Sequence, residues 1–137
     1  MLKIMIVEDD LDLLHGLRFL LQAYNCKICP LSDADEIVKT AGLLRPDLIL
    51  LDIKLDHGNG LDICKELKNS YLKTIPVYIM SGLPDAETKS YRSGADYFFA
   101  KPFDSEVLLR QIKTLENSSS ERFTFQPDIP EQRKQSK

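Results

Sequence analysis

Short aliphatic runs alternate with amphipathic stretches from residue 2 to about residue 115. Leu2–Val7 reads as a first strand, Lys27–Leu31 as a weak second, and Asp47–Leu51 as a third. Val77–Met80 and Tyr97–Ala100 read as the fourth and fifth. Between them, apolar residues recur at three- and four-residue spacing, the mark of a helix with one buried face. The first such stretch, Asp10–Tyr24, sets Leu11, Leu14, Leu17, Leu20 and Leu21 on that pattern. The second starts at Ser32 or Asp33, either of which can cap it, and runs to about Leu44, where Arg45-Pro46 closes it. The third, Gly60–Asn69, turns Leu61, Ile63, Cys64 and Leu67 inward. Pro84–Ser93 is the fourth, with Gly94 at its C′ position, and Asp104–Leu115 is the fifth.

Five βα units in succession imply an α/β fold with a parallel sheet, right-handed crossovers and helices on both faces. Strands of such a sheet end together at its carboxyl edge, where ligands bind. From Asn117 the pattern dissolves into NSSSERFTFQPDIPEQRKQSK, which reads as a flexible tail or the start of a linker. That stretch is too short for a DNA-binding domain. The expected organisation is one domain over 1–118 and a tail over 119–137.

Composition excludes several classes. No apolar run approaches the ~20 residues that cross a bilayer. The N-terminal MLKIMIVEDD lacks the longer apolar segment and cleavage site of a secretory signal. The expectation is a cytoplasmic protein with no membrane partner. Residues 1–116 carry 14 basic and 18 acidic side chains, and residues 117–137 carry 4 and 3. Without a basic field, direct nucleic-acid binding by this segment is not expected. Cys26-Lys-Ile-Cys29 is a C-x-x-C, but it lies in a strand-like segment before Pro30 and has no second ligand pair. Packing therefore outweighs a redox or zinc role. Cys64, on an apolar helix face, reads as packed.

The residues that follow the strands carry the chemistry. Leu48-Ile49-Leu50-Leu51 runs straight into Asp52. A carboxylate at the end of a strand buried on both faces needs a partner. Glu8, Asp9 and Asp10 follow the first strand, Ser81 and Gly82 the fourth, and Lys101 and Pro102 the fifth. All should converge on one end of the sheet. Crowded carboxylates raise one another's pKa unless a cation joins them. Glu8, Asp9 and Asp52 are hard oxygen donors, which suit Mg²⁺ with its retained waters. A metal and Lys101 flanking one aspartate can clamp a transferring phosphoryl group, and Asp52 can then act as the nucleophile.

In order, VEDD, LLDIKLDHGNGL, MSG and GADYFFAKPF resemble the receiver domain of two-component response regulators, the CheY-like superfamily, over about residues 1–118. The resemblance implies a five-stranded parallel sheet of order 2-1-3-4-5 flanked by five helices, the doubly wound, flavodoxin-like arrangement. It implies that Asp52 is the phospho-acceptor. Asp9 would be a direct ligand of Mg²⁺ or Mn²⁺, with Glu8 acting mostly through water and Lys54 contributing its backbone carbonyl. Ser81 would be the switch hydroxyl, Lys101 the phosphoryl partner, and Phe98 the aromatic that changes burial. The Lys101-Pro102 peptide would be cis. The implied partners are a histidine kinase or histidine phosphotransfer protein and an output domain or effector. Phosphorylation would switch the face of helix four, strand five and helix five, and dimerisation on phosphorylation is open. On this reading the protein is a signalling phospho-acceptor, not an enzyme acting on external substrates.

Other residues have plainer readings. Asp10 fits a helix cap, Asp12 a first-turn charge, and His15 a surface or packed helix position. His57 follows the acceptor in the loop, and Tyr91 and Tyr97 fit an interface or half-buried packing equally well. The chain also departs from the family pattern. Asp56 stands where many members have Pro, Phe98 where Tyr is common, and Asp96-Tyr97 where winged-helix regulators often have two acids. Lys54 and Leu83, two positions beyond Asp52 and Ser81, border the expected path of attacking water. A phosphohydrolase of the haloacid-dehalogenase type would need a second Asp where Lys54 stands. A pseudo-receiver would not need the full set of Glu8, Asp9, Asp52, Ser81 and Lys101.

Overall fold

The computed structural model describes residues 1–125, with side chains through Asn117. One compact unit spans Met1–Phe103, and a second begins at Asp104. The first holds strands β1 (Lys3–Val7), β2 (Lys27–Leu31), β3 (Leu48–Asp52), β4 (Val77–Ser81) and β5 (Tyr97–Ala100). Its helices are α1 (Leu11–Gln22), α2 (Ile37–Leu44), α3 (Gly60–Lys68) and α4 (Ala86–Arg92). Helix α5 (Ser105–Phe125) lies in the second unit.

All five strands pair in parallel in the order β2-β1-β3-β4-β5. This is the order expected for the CheY-like α/β fold. β3 sits at the centre, and every residue of Leu48-Ile49-Leu50-Leu51-Asp52 is buried. Alternation divides the sheet's side chains between two faces. Met5, Val7, Ile49, Leu51, Val77 and Ile79 pack with Ile37 and Ala41 of α2 and with Ile63, Cys64 and Leu67 of α3. Ile4, Ile6, Leu48, Leu50, Tyr78 and Met80 point the other way and are also buried. Right-handed crossovers place α1 on that second face, where it buries Leu14, Leu17 and Leu21. Apolar burial of this extent, at about 25 cal/mol per Å², supplies the main driving force for folding.

Element ends follow local chemistry. Asp10 caps α1, accepting the N–H groups of Asp12 (3.0 Å) and Leu13 (3.2 Å). Asp33 caps a single 3₁₀ turn, Ala34–Glu36, before α2 begins, so the second helix is shorter than its periodicity suggests. Arg45 closes α2 in the left-handed region at φ 50°, just ahead of Pro46. At the sheet's other pole, Lys68 Nζ reaches the Ile75 carbonyl (2.9 Å) and Asp96 Oδ2 (2.7 Å). The same Asp96 oxygen accepts the Val77 N–H at 2.8 Å. Asp96 is therefore engaged within its own chain.

Two expectations are corrected. β3 runs one residue further than the hydrophobic pattern and includes Asp52, which pairs with Met80. α5 continues through Asn117 to Phe125, where the sequence was read as tail. No Gly or Pro stands between Phe103 and Pro127 to stop a helix already nucleated, and propagation costs little once the first turn is formed. The rest of the expected tail, 126–137, lies outside the described residues. Cys26 is buried with its thiol 3.9 Å from the Tyr24 carbonyl, and Cys29 is half-buried in β2. No disulfide joins them.

Candidate functional site

The carboxyl ends of β1, β3, β4 and β5 open into one cleft of about 340 Å³. Glu8, Asp9, Asp10, Asp52, Lys54, Asp56, Ser81, Gly82, Leu83 and Lys101 line it. The parallel sheet alone brings these residues together from positions up to 93 apart in sequence. Glu8, Asp52 and Ser81 are 1%, 7% and 2% exposed, so these three groups sit almost wholly out of water, whereas Asp10, Lys54 and Asp56 at the same cleft are exposed.

Lys101 follows β5, and its N–H donates to the Ser81 carbonyl at 2.9 Å, which sets the lysine at the head of the sheet. Its ammonium lies 2.8 Å from Glu8 Oε1 and 3.4 Å from Asp52 Oδ2. Glu8 Oε2 accepts the Asp10 N–H at 3.1 Å. Both oxygens of Glu8 thus have donors. Burial pushes the Glu8 carboxyl above its usual range despite the bond from Lys101. Burial works to lower the Lys101 pKa, but the Glu8 bond and the Asp52 charge outweigh it and hold the ammonium above its usual range. Burial thus opposes both charges, and the ion pair offsets it more fully at Lys101 than at Glu8.

Asp9 is arranged differently. Its Oδ2 accepts the Asp56 N–H in a short contact. Its Oδ1 is buried and has no hydrogen-bond partner. Such an oxygen is costly to bury and matches a cation's need for a hard donor. Among the described residues, no group of three or more His, Cys, Asp or Glu side chains is gathered to hold a metal unaided. The cleft instead offers Asp9 and Asp52, with Glu8 turned to Lys101. Two carboxylates with a carbonyl and waters suit Mg²⁺, which keeps several waters, and fit poorly with zinc.

The loop after Asp52 folds back on itself. Lys54–Leu55 and Gly58–Asn59 form a two-stranded antiparallel hairpin with Asp56 and His57 at its turn. Gly60 allows this return path. A Cβ there would overlap the Asp52 carbonyl oxygen and come 2.8 Å from Ile53 Cα. The Gly60 N–H donates to the Ile53 carbonyl at 2.7 Å. Gly60 was read only as the start of a helix, and nothing but its place in the loop after Asp52 hinted at this contact.

Ser81 Oγ accepts the Leu83 N–H at 3.0 Å and faces the cleft. Phe98 is half-buried and lines a neighbouring cleft of about 340 Å³ with Ser81, Leu83, Ala86, Thr88 and Lys101. Lys54 and Leu83 both stand at the mouth of the first cleft, and Leu83 is 45% exposed. His57 is exposed and does not line the cleft, and His15 is exposed on α1. Tyr91 is exposed, and Tyr97 packs against Tyr78 and Phe99 with ring centres 5.8 and 4.8 Å away. The Lys101-Pro102 peptide is cis.

A sheet of this order with an acidic, lysine-bearing cleft at its carboxyl edge agrees with comparison to known proteins. The chain belongs to the response regulator receiver domain family, whose model matches residues 4–113. It is thus a signal-transduction domain of two-component systems. It is similar to the response regulator ArlR of Staphylococcus saprophyticus, with 34% identity over 117 residues that cover 84% of this chain and 52% of that protein. It is also similar to the signal receiver domain of a signal transduction histidine kinase from Syntrophus aciditrophicus. That structure superposes with a TM-score of 0.80 at 27% identity, covering 100% of this chain and 98% of the other. The receiver domain of the Pseudomonas aeruginosa sensor histidine kinase PA1611, which holds magnesium in its active site cleft, shares the fold at a TM-score of 0.77. Its identity is 21%, covering 83% of this chain and 96% of that one. The chain spans about half the length of the curated relatives it matches. Among the described residues, no helix is long and apolar enough to cross a membrane.

Proposed function

We propose that the chain is a phospho-accepting receiver that takes a phosphoryl group from a phosphohistidine onto Asp52. The donor is a histidine kinase or a histidine phosphotransfer protein. The observation that carries the reading is the setting of Asp52. It closes the central strand, is 7% exposed, and has the Lys101 ammonium 3.4 Å from Oδ2. Ser81 lines the same cleft from the neighbouring strand.

The step balances simply. An Asp52 oxygen attacks phosphorus, the P–N bond to the donor imidazole breaks, and its electron pair returns to the ring nitrogen. Lys101 offsets the charge that grows on the phosphoryl oxygens. Asp9, Asp52 and the Lys54 carbonyl would hold Mg²⁺ or Mn²⁺, with Glu8 acting through water. The bound cation would neutralise the carboxylates and the incoming phosphoryl oxygens. The product adds charge and strong acceptor oxygens at the head of β3. Ser81 leaves the Leu83 N–H to donate to the new group, and Phe98 moves into the cleft beside it. α4 and β5 thereby present a changed surface to an output domain or effector. The chain catalyses only its own phosphorylation and dephosphorylation.

Beryllofluoride with magnesium mimics the acyl phosphate and tests the switch. Amide signals of Ser81, Leu83 and Phe98 should shift in the parent and stay in place in Asp52→Asn. Unmoved signals in the parent would refute the proposal.

A further inference from the structure

We infer that Asp56 positions the divalent cation through its main-chain amide, which holds Asp9 from the tip of the 54–59 hairpin. The inference rests on the cation-site reading above and deepens it. The two carboxylate oxygens of Asp9 are unlike: Oδ2 accepts the Asp56 N–H, and Oδ1 is buried with no donor. Anchoring one oxygen removes rotational freedom from the side chain and leaves the other for a cation. That is the service an outer-shell partner gives a ligand.

Contacts away from the cleft set the hairpin tip. Lys54 pairs with Asn59 and Leu55 with Gly58. The Gly60 N–H holds the base of the hairpin on the Ile53 carbonyl at 2.7 Å. Asn59 Oδ1 accepts the Leu61 N–H at 2.8 Å, tying the returning strand to the start of α3. Gly58 lies so near Ala34 that a Cβ there would stand 2.7 Å from the alanine methyl. The hairpin also carries the Lys54 carbonyl. Two proposed ligands, one from β1's end and one from the hairpin, are thus coupled by a single N–H. Asp56 lines the cleft as well, but it is exposed and water screens the charge of its carboxylate. The amide is the group that matters.

Titrating magnesium chloride by calorimetry into the parent, Asp56→Asn and Asp56→Pro separates the two groups. Asn keeps the N–H and removes the charge, whereas Pro removes the N–H. Asp56→Pro should bind magnesium about tenfold or more weakly, as for other lost outer-shell partners, and Asp56→Asn within about twofold of the parent. Parent-like affinity in Asp56→Pro, or equal losses in both variants, overturns the inference. A second readout does not depend on the proline variant folding. In the metal-free protein, the Asp56 amide proton should resonate downfield, exchange slowly, and move upfield in Asp9→Ala. An Asp56 amide that ignores Asp9→Ala overturns the inference alone. A parent that binds no magnesium overturns the inference together with the reading on which it rests.

Discussion

The Lys101 ammonium lies closer to Glu8 than to Asp52, at 2.8 Å against 3.4 Å, and Glu8 is 1% exposed. Glu8 is thus a buried anion whose counter-charge is one lysine. Removing one partner of such a pair costs more than removing both, because it strands the other charge. Lys101→Met should destabilise the metal-free protein by about 2–4 kcal/mol in urea denaturation, and adding Glu8→Gln should restore a good part of that loss. Additive losses in the double variant would show that the pair is not coupled.

Two glycines should respond to alanine with opposite signs. At Gly60 a methyl meets the Asp52 carbonyl oxygen and Ile53 Cα, which are backbone atoms that cannot turn aside. Gly60→Ala should cost about 2–4 kcal/mol and reduce phosphorylation along with stability. At Gly16, exposed within α1, an added methyl meets nothing within 4 Å. Gly16→Ala should stabilise by about 0.5–1 kcal/mol. Thermal melts of the two variants check both signs.

Tyr78 sets an alkaline limit. Burial, helped by the charge of Asp96 and by Tyr97, pushes its hydroxyl up to about 12 from an ordinary value of 10.0. The folded protein therefore holds the neutral phenol where the unfolded chain ionises. This contribution is whole below about pH 10 and is lost as pH rises from about 10 to about 12, amounting to about 2–3 kcal/mol. Urea midpoints across that window should fall in the parent, and fall less in Tyr78→Phe. Identical slopes would exclude this group as the cause.

Lys54 and Leu83 flank the open side of the cleft, where water must enter to hydrolyse an acyl phosphate. If Asp52 carries the phosphoryl group as proposed, a long cation and a branched aliphatic chain there would obstruct that approach. Lys54→Asn and Leu83→Ala should each shorten the phosphorylated lifetime about threefold or more, on the order of 1 kcal/mol of barrier. Unchanged lifetimes in both would remove them from this role.

Much of this arrangement could be read from the chain because its signals are local. The LILLD run marks a strand buried on both faces, and the parallel sheet then brings Glu8, Asp52, Ser81 and Lys101 to one edge. What escaped reading depends on contacts between distant segments. Nothing near Asp56 in sequence points to Asp9, 47 residues earlier. Gly60 looked like a helix start, yet the closeness of the Asp52 carbonyl is visible only once the hairpin folds back. Asp96 was read only as part of a departure from the paired acids of winged-helix regulators, whereas Lys68 and the Val77 amide already occupy it. The run of serines after Asn117 resembled a tail because its apolar pattern fades, but backbone propagation without a breaker carries α5 to Phe125.

The most direct measurement is intact-protein mass spectrometry after incubation with acetyl phosphate and magnesium, with peptide mapping of the modified residue. The account predicts one added phosphoryl group on Asp52, dependent on magnesium and absent from Asp52→Asn. An unmodified parent, or a label on another residue that persists in Asp52→Asn, would contradict it.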